Sequence, residues 1–486
     1  MIIPALDEAK KYAQHYSIFP FALEIFSDVK TPIEVLRNIQ QQSEDWYILE
    51  SVNSGAMWGR YTFLGYQPVL SMHGSGNRIT IQTGAKKETV EGNPVDAVRR
   101  MIEQYKSPRI DDLPPFTGGF VGYFAYDFVQ QCIPGLRLHS KGDVDDKDFH
   151  LMLMDKVIVF DHYKQKIFII VNVSTDDIEN SYINGVTVLK DMEAMILQAA
   201  SSRAEKKASC GEFVPAFSEE EFADKIKRIK HHIVEGDVFQ TVLSNRFTAP
   251  FQGSLMNTYR RLRTSNPSPY MVYMKLGEIE IACASPETLV SLQNGKISSF
   301  PLAGTCPRGA TREKDEELIA ALLEDKKELA EHDMLVDLAR NDIGKVSRFG
   351  SVEVSKYRQI KQFSHVSHIA SHVTGELRED LDALDVIAAT IPAGTLSGAP
   401  KKRACELIDE LEGMRRGAYG GALGYIDFAG NMDMCIGIRM AVLKNGRVAV
   451  QSGAGIVADS VPEKEYRETI NKAKAVMNAL KENGEG

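Results

Sequence analysis

Two Asn-Gly pairs, Asn294-Gly295 and Asn445-Gly446, each stand between apolar runs. A two-residue type I′ turn needs positive φ at both central positions, which Asn and Gly tolerate, and its twist matches that of paired strands. The pairs therefore predict antiparallel hairpins in the C-terminal half. WYILESV, WGRYTFLGY and VIVFDHYKQKIFIIVNV, rich in aromatic and β-branched residues, predict further strands in the N-terminal half. Long helices are expected at 312–339 and 462–481; in the second, Tyr466, Ile470, Ala473, Met477 and Leu480 make one apolar stripe. Strands and helices mix without a regular β-α-β beat. The expected class is α+β, with large antiparallel sheets flanked by helices.

Residues 200–215, ASSRAEKKASCGEFVP, are small, polar and charged, and read as a linker. They divide the chain into 1–199 and 216–486, both of domain size. A net charge of −9 argues against a nucleic-acid or anionic-membrane partner. No apolar run is long enough to span a bilayer, and the start, MIIPALDEAKKYAQ, lacks the features of a signal peptide. Six scattered cysteines without a CxxC read as free thiols, so a cytoplasmic location is expected.

Several stretches carry candidate chemistry. In FPLAGTCPRG, Gly304 and Thr305 let backbone approach a ligand, since glycine has no Cβ. PAGTLSGAPKKRACELIDELEG is a glycine-rich loop feeding a helix, with Pro400 at the first helical position and Gly413 as C-terminal cap. It is an anion site or a structural turn, and not a Walker loop. QSGAGIVADS mimics a dinucleotide fingerprint, but only one helix follows. Backbone binding of a carboxylate at Gly453–Gly455 and a plain tight turn remain open. HVSHIASH reads as a strand, on which His368 and His372 share a face and His365 points away, against a three-histidine metal site. Glu328 and Glu331 share one helix face, and Glu465 and Glu468 another. They are solvated charge or ligands for a hard cation such as Mg²⁺.

Taken in series, PLAGTCPRG, LAEHDMLVDLARND, HVSHIASHVTGEL, GTLSGAPKKRA, RRGAYGGALGY and QSGAGIVADSVPEKEYRETINKA resemble the chorismate-utilising enzymes over residues 220 to 480. ILES, WGRYTFLGY and PPFTGGFVGYFAYD resemble the N-terminal, regulatory α+β domain of the anthranilate synthase component I branch. The resemblance implies Mg²⁺ on Glu331 and Glu468, and chorismate against Gly304, Thr305, Tyr419, Arg439, Lys472 and the Gly453-Ala454-Gly455 backbone. It implies His368 as the base, Glu287 as the acid for a departing hydroxyl, and Thr395 close by.

Two positions choose among relatives. Gln240 stands where isochorismate and salicylate enzymes are expected to carry a water-activating lysine. Ala303 stands where aminodeoxychorismate synthases are expected to carry a lysine nucleophile. Both point to an ammonia-using, anthranilate-forming enzyme; the alternative is the folate-pathway relative. Ser51 with Pro269, Tyr270 and Met271 resembles a tryptophan feedback site. No glutamine-amidotransferase signature surrounds a cysteine, which implies a separate small subunit as the ammonia source. Leu302 and Cys306 depart from the isoleucine and arginine more usual in the family.

Overall fold

A computed structural model describes residues 2–51, 57–142, 147–198, 208–362 and 366–481, without the side chains of Met57, Trp58 and Thr305. Their strands form two sheets, of fourteen and twelve members. Both hairpins form on the Asn-Gly pairs. Gln293 pairs with Lys296 and Lys444 with Arg447, and all four turn residues have positive φ, from +50° to +76°.

Each sheet contains strands from both halves of the sequence. In the larger, Trp46–Glu50 pairs antiparallel with Tyr270–Leu276. In the smaller, Gly119–Phe124 pairs antiparallel with Ala422–Asp427. The stretch 200–215 ends in two short strands, Ser209–Cys210 and Val214–Pro215, both paired on Gln240–Gln252.

The sheets pack face to face through one core, where Phe63 of the first meets Tyr425 of the second at 6.1 Å between ring centroids. Helices cover the outer faces. Pro32–Gln42, Ile178–Leu197, Met256–Ser265 and Pro462–Lys481 contribute to the core of the larger sheet. Pro94–Gln104, Lys326–Gly344 and Ala383–Thr390 contribute to that of the smaller. Covering both faces explains why Lys166–Ser174 reads as an unbroken apolar run: Ile167 to Val171 are all buried.

Two expected boundaries shift. The helix anticipated at 312–339 is two helices, Arg312–Glu324 and Lys326–Gly344. Asp325 between them is extended, and its carboxylate accepts from the Lys327 and Glu328 amides, capping the second helix. Pro400 is the N-cap of Lys401–Glu412, one residue ahead of its expected place, while Gly413 ends that helix in the left-handed conformation. The six cysteines are free. Among the described residues no helix is long and apolar enough to cross a membrane.

Candidate active site

The strands Leu302–Pro307 and Val366–Glu376 pair antiparallel, but the register slips by one residue. Ala303 faces Ile369 and Thr305 faces His368, which leaves Gly304 extra. Gly304 takes φ +68°, and a Cβ there would lie 3.0 Å from Ile369 Cδ1. Only glycine suits that bulge. The bulge aims the Gly304 carbonyl at His368 Nδ1, 3.2 Å away. A carbonyl oxygen can only accept, so Nδ1 carries the proton and Nε2 is the basic nitrogen. Burial holds the imidazole below the ordinary histidine range; the Gly304 carbonyl opposes this and the charge of Arg439 adds to it.

Glu287 follows the strand Ile279–Ser285, and Thr395 lies in the short 3₁₀ turn Gly394–Leu396. The Thr395 hydroxyl donates to Glu287 Oε1 at 3.2 Å. Burial pushes the Glu287 carboxyl up to about 7, against the Thr395 hydroxyl and the charge of Lys472. Both side chains line a cavity of about 50 Å³ with Leu335, Leu338 and Thr390.

The helix Pro462–Lys481 lies along the strand Arg447–Ile456, where Ser452 Oγ donates to the Thr469 carbonyl at 2.7 Å. Lys472 Nζ sits 2.6 Å from Glu468 and donates to the Gly453 carbonyl at 3.1 Å. Arg439 Nη1 donates to the Lys472 carbonyl at 3.1 Å. Arg439 itself has φ +52°, a strained choice for a non-glycine residue. Met440–Lys444 pairs with 447–450 only, so Gly453, Ala454 and Gly455 are paired by a strand on one edge, against Ser244, Leu243 and Val242. A Cβ on Gly453 would lie 3.1 Å from the Tyr419 hydroxyl, and one on Gly455 would collide with the Gln240 amide. Backbone is thus presented where side chains do not fit. Arg439, Glu468 and Lys472 line an open pocket of about 470 Å³ with Lys464, Arg467 and Asn471, a size suited to a small organic ligand.

Glu331 projects from Lys326–Gly344 with its residue still exposed. Surrounding protein raises its carboxyl, the carboxylates of Glu328 and Glu468 raise it further, and Lys327 and Lys472 oppose them. Two helices thus bring like charges together. Among the described residues, no group of three or more His, Cys, Asp or Glu could hold a metal by itself.

Of the other histidines flagged by the sequence, His372 stacks on Phe300 at 4.3 Å and meets Ser355 Oγ at 2.9 Å, a packing role. His365 lies outside the described residues. The Thr305 backbone faces His368, and its side chain is likewise outside them.

A second group forms where the two sequence halves join. Glu50 pairs with Met271, so Ser51 falls at the level of Tyr270, next to Pro269. The Ser51 hydroxyl is buried and makes no hydrogen bond among the described residues. The Tyr270 hydroxyl lies 2.9 Å from Thr288 Oγ1 and 3.0 Å from Asp433 Oδ1. Burial holds the Asp433 carboxyl well above the usual range. Sequence reasoning passed over Asp433 and also Glu50, a buried carboxylate that accepts from Arg263 Nη2 at 3.0 Å and from the Tyr259 hydroxyl. The signal for Glu50 was an acid closing the apolar run WYIL.

The model of the chorismate binding enzyme family matches residues 55–478. The chain is 44% identical to anthranilate synthase component 1 of Acetivibrio thermocellus, covering 100% of both chains. It is 42% identical to that of Aquifex aeolicus, covering 98% of this chain and 97% of the relative. It superposes on the crystal structure of anthranilate synthase component I from Streptococcus pneumoniae with a TM-score of 0.77 and 36% identity, covering 93% and 98% of the two chains. The menaquinone-specific isochorismate synthase of Escherichia coli, at 18% identity and a TM-score of 0.71 over 98% and 99%, shares the fold. The chain belongs to the chorismate binding enzyme family, in its anthranilate synthase component 1 branch.

Proposed function

We propose that this chain is the large subunit of an anthranilate synthase, converting chorismate and ammonia to anthranilate and pyruvate in the cytoplasm as the first step of tryptophan biosynthesis. The observation that carries the reading is a buried acid and a buried base of complementary protonation. Glu287 has a carboxyl pushed up to about 7, and His368 has Nε2 as its basic nitrogen. The charge of Lys472 acts on Glu287 and that of Arg439 acts on His368, and both cations line the open pocket.

In this reading the guanidinium of Arg439, the ammonium of Lys472 and the Gly453–Gly455 backbone take the carboxylates of chorismate, with the Tyr419 hydroxyl beside them. Gly304 and Thr305 border the ring. Ammonia adds at C2 while Glu287 gives its proton to the departing C4 hydroxyl, with Thr395 fixing the carboxyl. His368 Nε2 then removes the C2 proton as pyruvate leaves and the ring becomes aromatic. Glu331 and Glu468 fit a divalent cation: they approach from two helices, repel each other and make too few ligands for a closed cage, the pattern Mg²⁺ accepts when substrate and water complete its shell. Bound there, Mg²⁺ would neutralise a substrate carboxylate.

Residues 216–486 form the catalytic part in this assignment and 1–199 a regulatory one. Tryptophan inhibits at Ser51, Pro269, Tyr270 and Met271, and a glutamine amidotransferase subunit supplies ammonia. Ala303, buried opposite Ile369, offers no nucleophile, which argues for attack by ammonia itself. Incubation with chorismate, MgCl₂ and an ammonium salt tests the reading. Blue-fluorescent anthranilate with equimolar pyruvate is expected. An aminated chorismate that keeps its pyruvate moiety would instead assign the chain to the folate-type reaction.

A further inference from the structure

Arg416 and Glu412 form an ion pair whose side chains are each only 1% exposed. Glu412 Oε2 accepts from Arg416 Nε at 2.9 Å and Oε1 from Nη2 at 2.6 Å. A buried pair of this kind roughly breaks even as a source of stability, because desolvation offsets the attraction. Its other contacts are what set it apart. Arg416 Nη1 donates to the Leu396 carbonyl at 2.6 Å, and Leu396 is the neighbour of Thr395. Arg416 Nη2 donates to the Val242 carbonyl at 2.8 Å, and Val242 is the register partner of Gly455. The guanidinium carbon lies 5.8 Å from the ring centre of Tyr419 and 4.5 Å from that of Tyr126. Glu412 Oε1 also accepts from the amide and the hydroxyl of Ser244, both at 2.8 Å; Ser244 is the register partner of Gly453.

One buried pair therefore holds the Thr395 turn, the strand behind Gly453–Gly455 and the Tyr419 ring in one frame. A planar guanidinium spreads its donors over a rigid fork and makes four bonds here, two to the carboxylate and one to each carbonyl, whereas an ammonium has three donors on a single nitrogen. We propose that Arg416 and Glu412 are positioning residues for the reaction. They touch no substrate, and they set the distance between the turn that orients the Glu287 carboxyl and the backbone that receives the substrate carboxylate. The proposal rests on the function assigned above.

The test is a kinetic double-mutant cycle. Arg416→Lys and Glu412→Gln are each made alone and combined with Thr395→Val, and kcat and KM for chorismate are measured with saturating ammonia and Mg²⁺. Misplacement of catalytic groups by about 1 Å costs on the order of 10²-fold in rate. Arg416→Lys should therefore lose roughly ten- to a hundredfold in kcat/KM while remaining folded. Because the pair acts through the Thr395 turn, the combined loss with Thr395→Val should fall well short of the product of the single losses. Glu412→Gln is isosteric and keeps an oxygen for Ser244, so it carries the cycle if Arg416→Lys does not fold. Losses that multiply to within twofold, or an Arg416→Lys enzyme as active as wild type, overturn the proposal. A wild-type chain that consumes no chorismate would instead sink the function reading on which it stands.

Discussion

His368 and Gly304 are joined across a break in strand register, with the imidazole Nδ1 3.2 Å from the glycine carbonyl. The bulge fixes which nitrogen is basic, so its geometry bears directly on the proposed role of His368 as base. Gly304→Ala puts a Cβ into a left-handed position 3.0 Å from Ile369 and 3.3 Å from Leu322. The left-handed conformation alone costs a non-glycine residue about 1–2 kcal/mol. Urea unfolding should show a loss of at least that size. Activity should fall further than stability alone explains, because relaxing the bulge turns the carbonyl away from Nδ1. A variant with wild-type kcat would detach the bulge from catalysis.

In the proposed reaction Glu287 and His368 should give opposite limbs to the pH profile. The acid works protonated, so kcat/KM should decline as pH rises through about 7, where burial has placed the Glu287 carboxyl. The base works neutral, and burial lowers the His368 pKa, so the decline on the acidic side should begin below the ordinary histidine range. The Thr395 hydroxyl stabilises the Glu287 carboxylate and so lowers its pKa. Thr395→Val should therefore move the alkaline limb to higher pH and leave the acidic limb in place. Rates at fixed free NH₃ concentration, from about pH 5 to 9, test this; an unmoved alkaline limb would assign it to another group.

The hairpins on Asn294-Gly295 and Asn445-Gly446 were legible because a two-residue turn is decided by the residues within it. The antiparallel sheets were legible from the same local signals. The joining of both sequence halves into two common sheets was not, since Trp46–Glu50 meets Tyr270–Leu276 across more than two hundred residues and nothing local encodes that pairing. The break at Asp325 was hidden because charged residues continue the helical pattern through it, and only the cap shows that the chain turns. Most proposed active-site positions, including Glu331 and Glu468, followed from the order of the motifs. Arg416 does not stand out within RRGAYGG, because the carbonyls it binds arrive from Val242 and Leu396.

Removing the proposed metal should be costly. Chelation should abolish turnover and Mg²⁺ restore it. Glu468→Gln and Glu331→Gln should each raise the Mg²⁺ concentration for half-maximal activity by tenfold or more, with several kcal/mol added to the barrier. Glu468→Gln also frees Lys472, which now sits 2.6 Å from that carboxylate. Restoring the rate with excess Mg²⁺ would separate the loss of a ligand from a displaced lysine. If Mg²⁺ dependence is unchanged in both variants, neither residue holds the ion.

Ser51 tests the proposed regulation by tryptophan. Its hydroxyl is buried yet makes no hydrogen bond among the described residues. A hydroxyl so placed is available to a bound polar ligand, and a buried hydroxyl without a partner costs about 1–3 kcal/mol. The register sets Ser51 at the level of Tyr270, whose hydroxyl is held against Asp433. An amino acid with a charged end and an aromatic end matches a hydroxyl beside an apolar core. Ser51→Phe adds bulk and removes the donor, so tryptophan inhibition should weaken at least tenfold with kcat for anthranilate nearly unchanged. Ser51→Ala removes only the hydroxyl and adds no bulk, so it should weaken it less. Inhibition curves for the two variants separate these contributions, and wild-type inhibition in Ser51→Phe would place the inhibitor elsewhere.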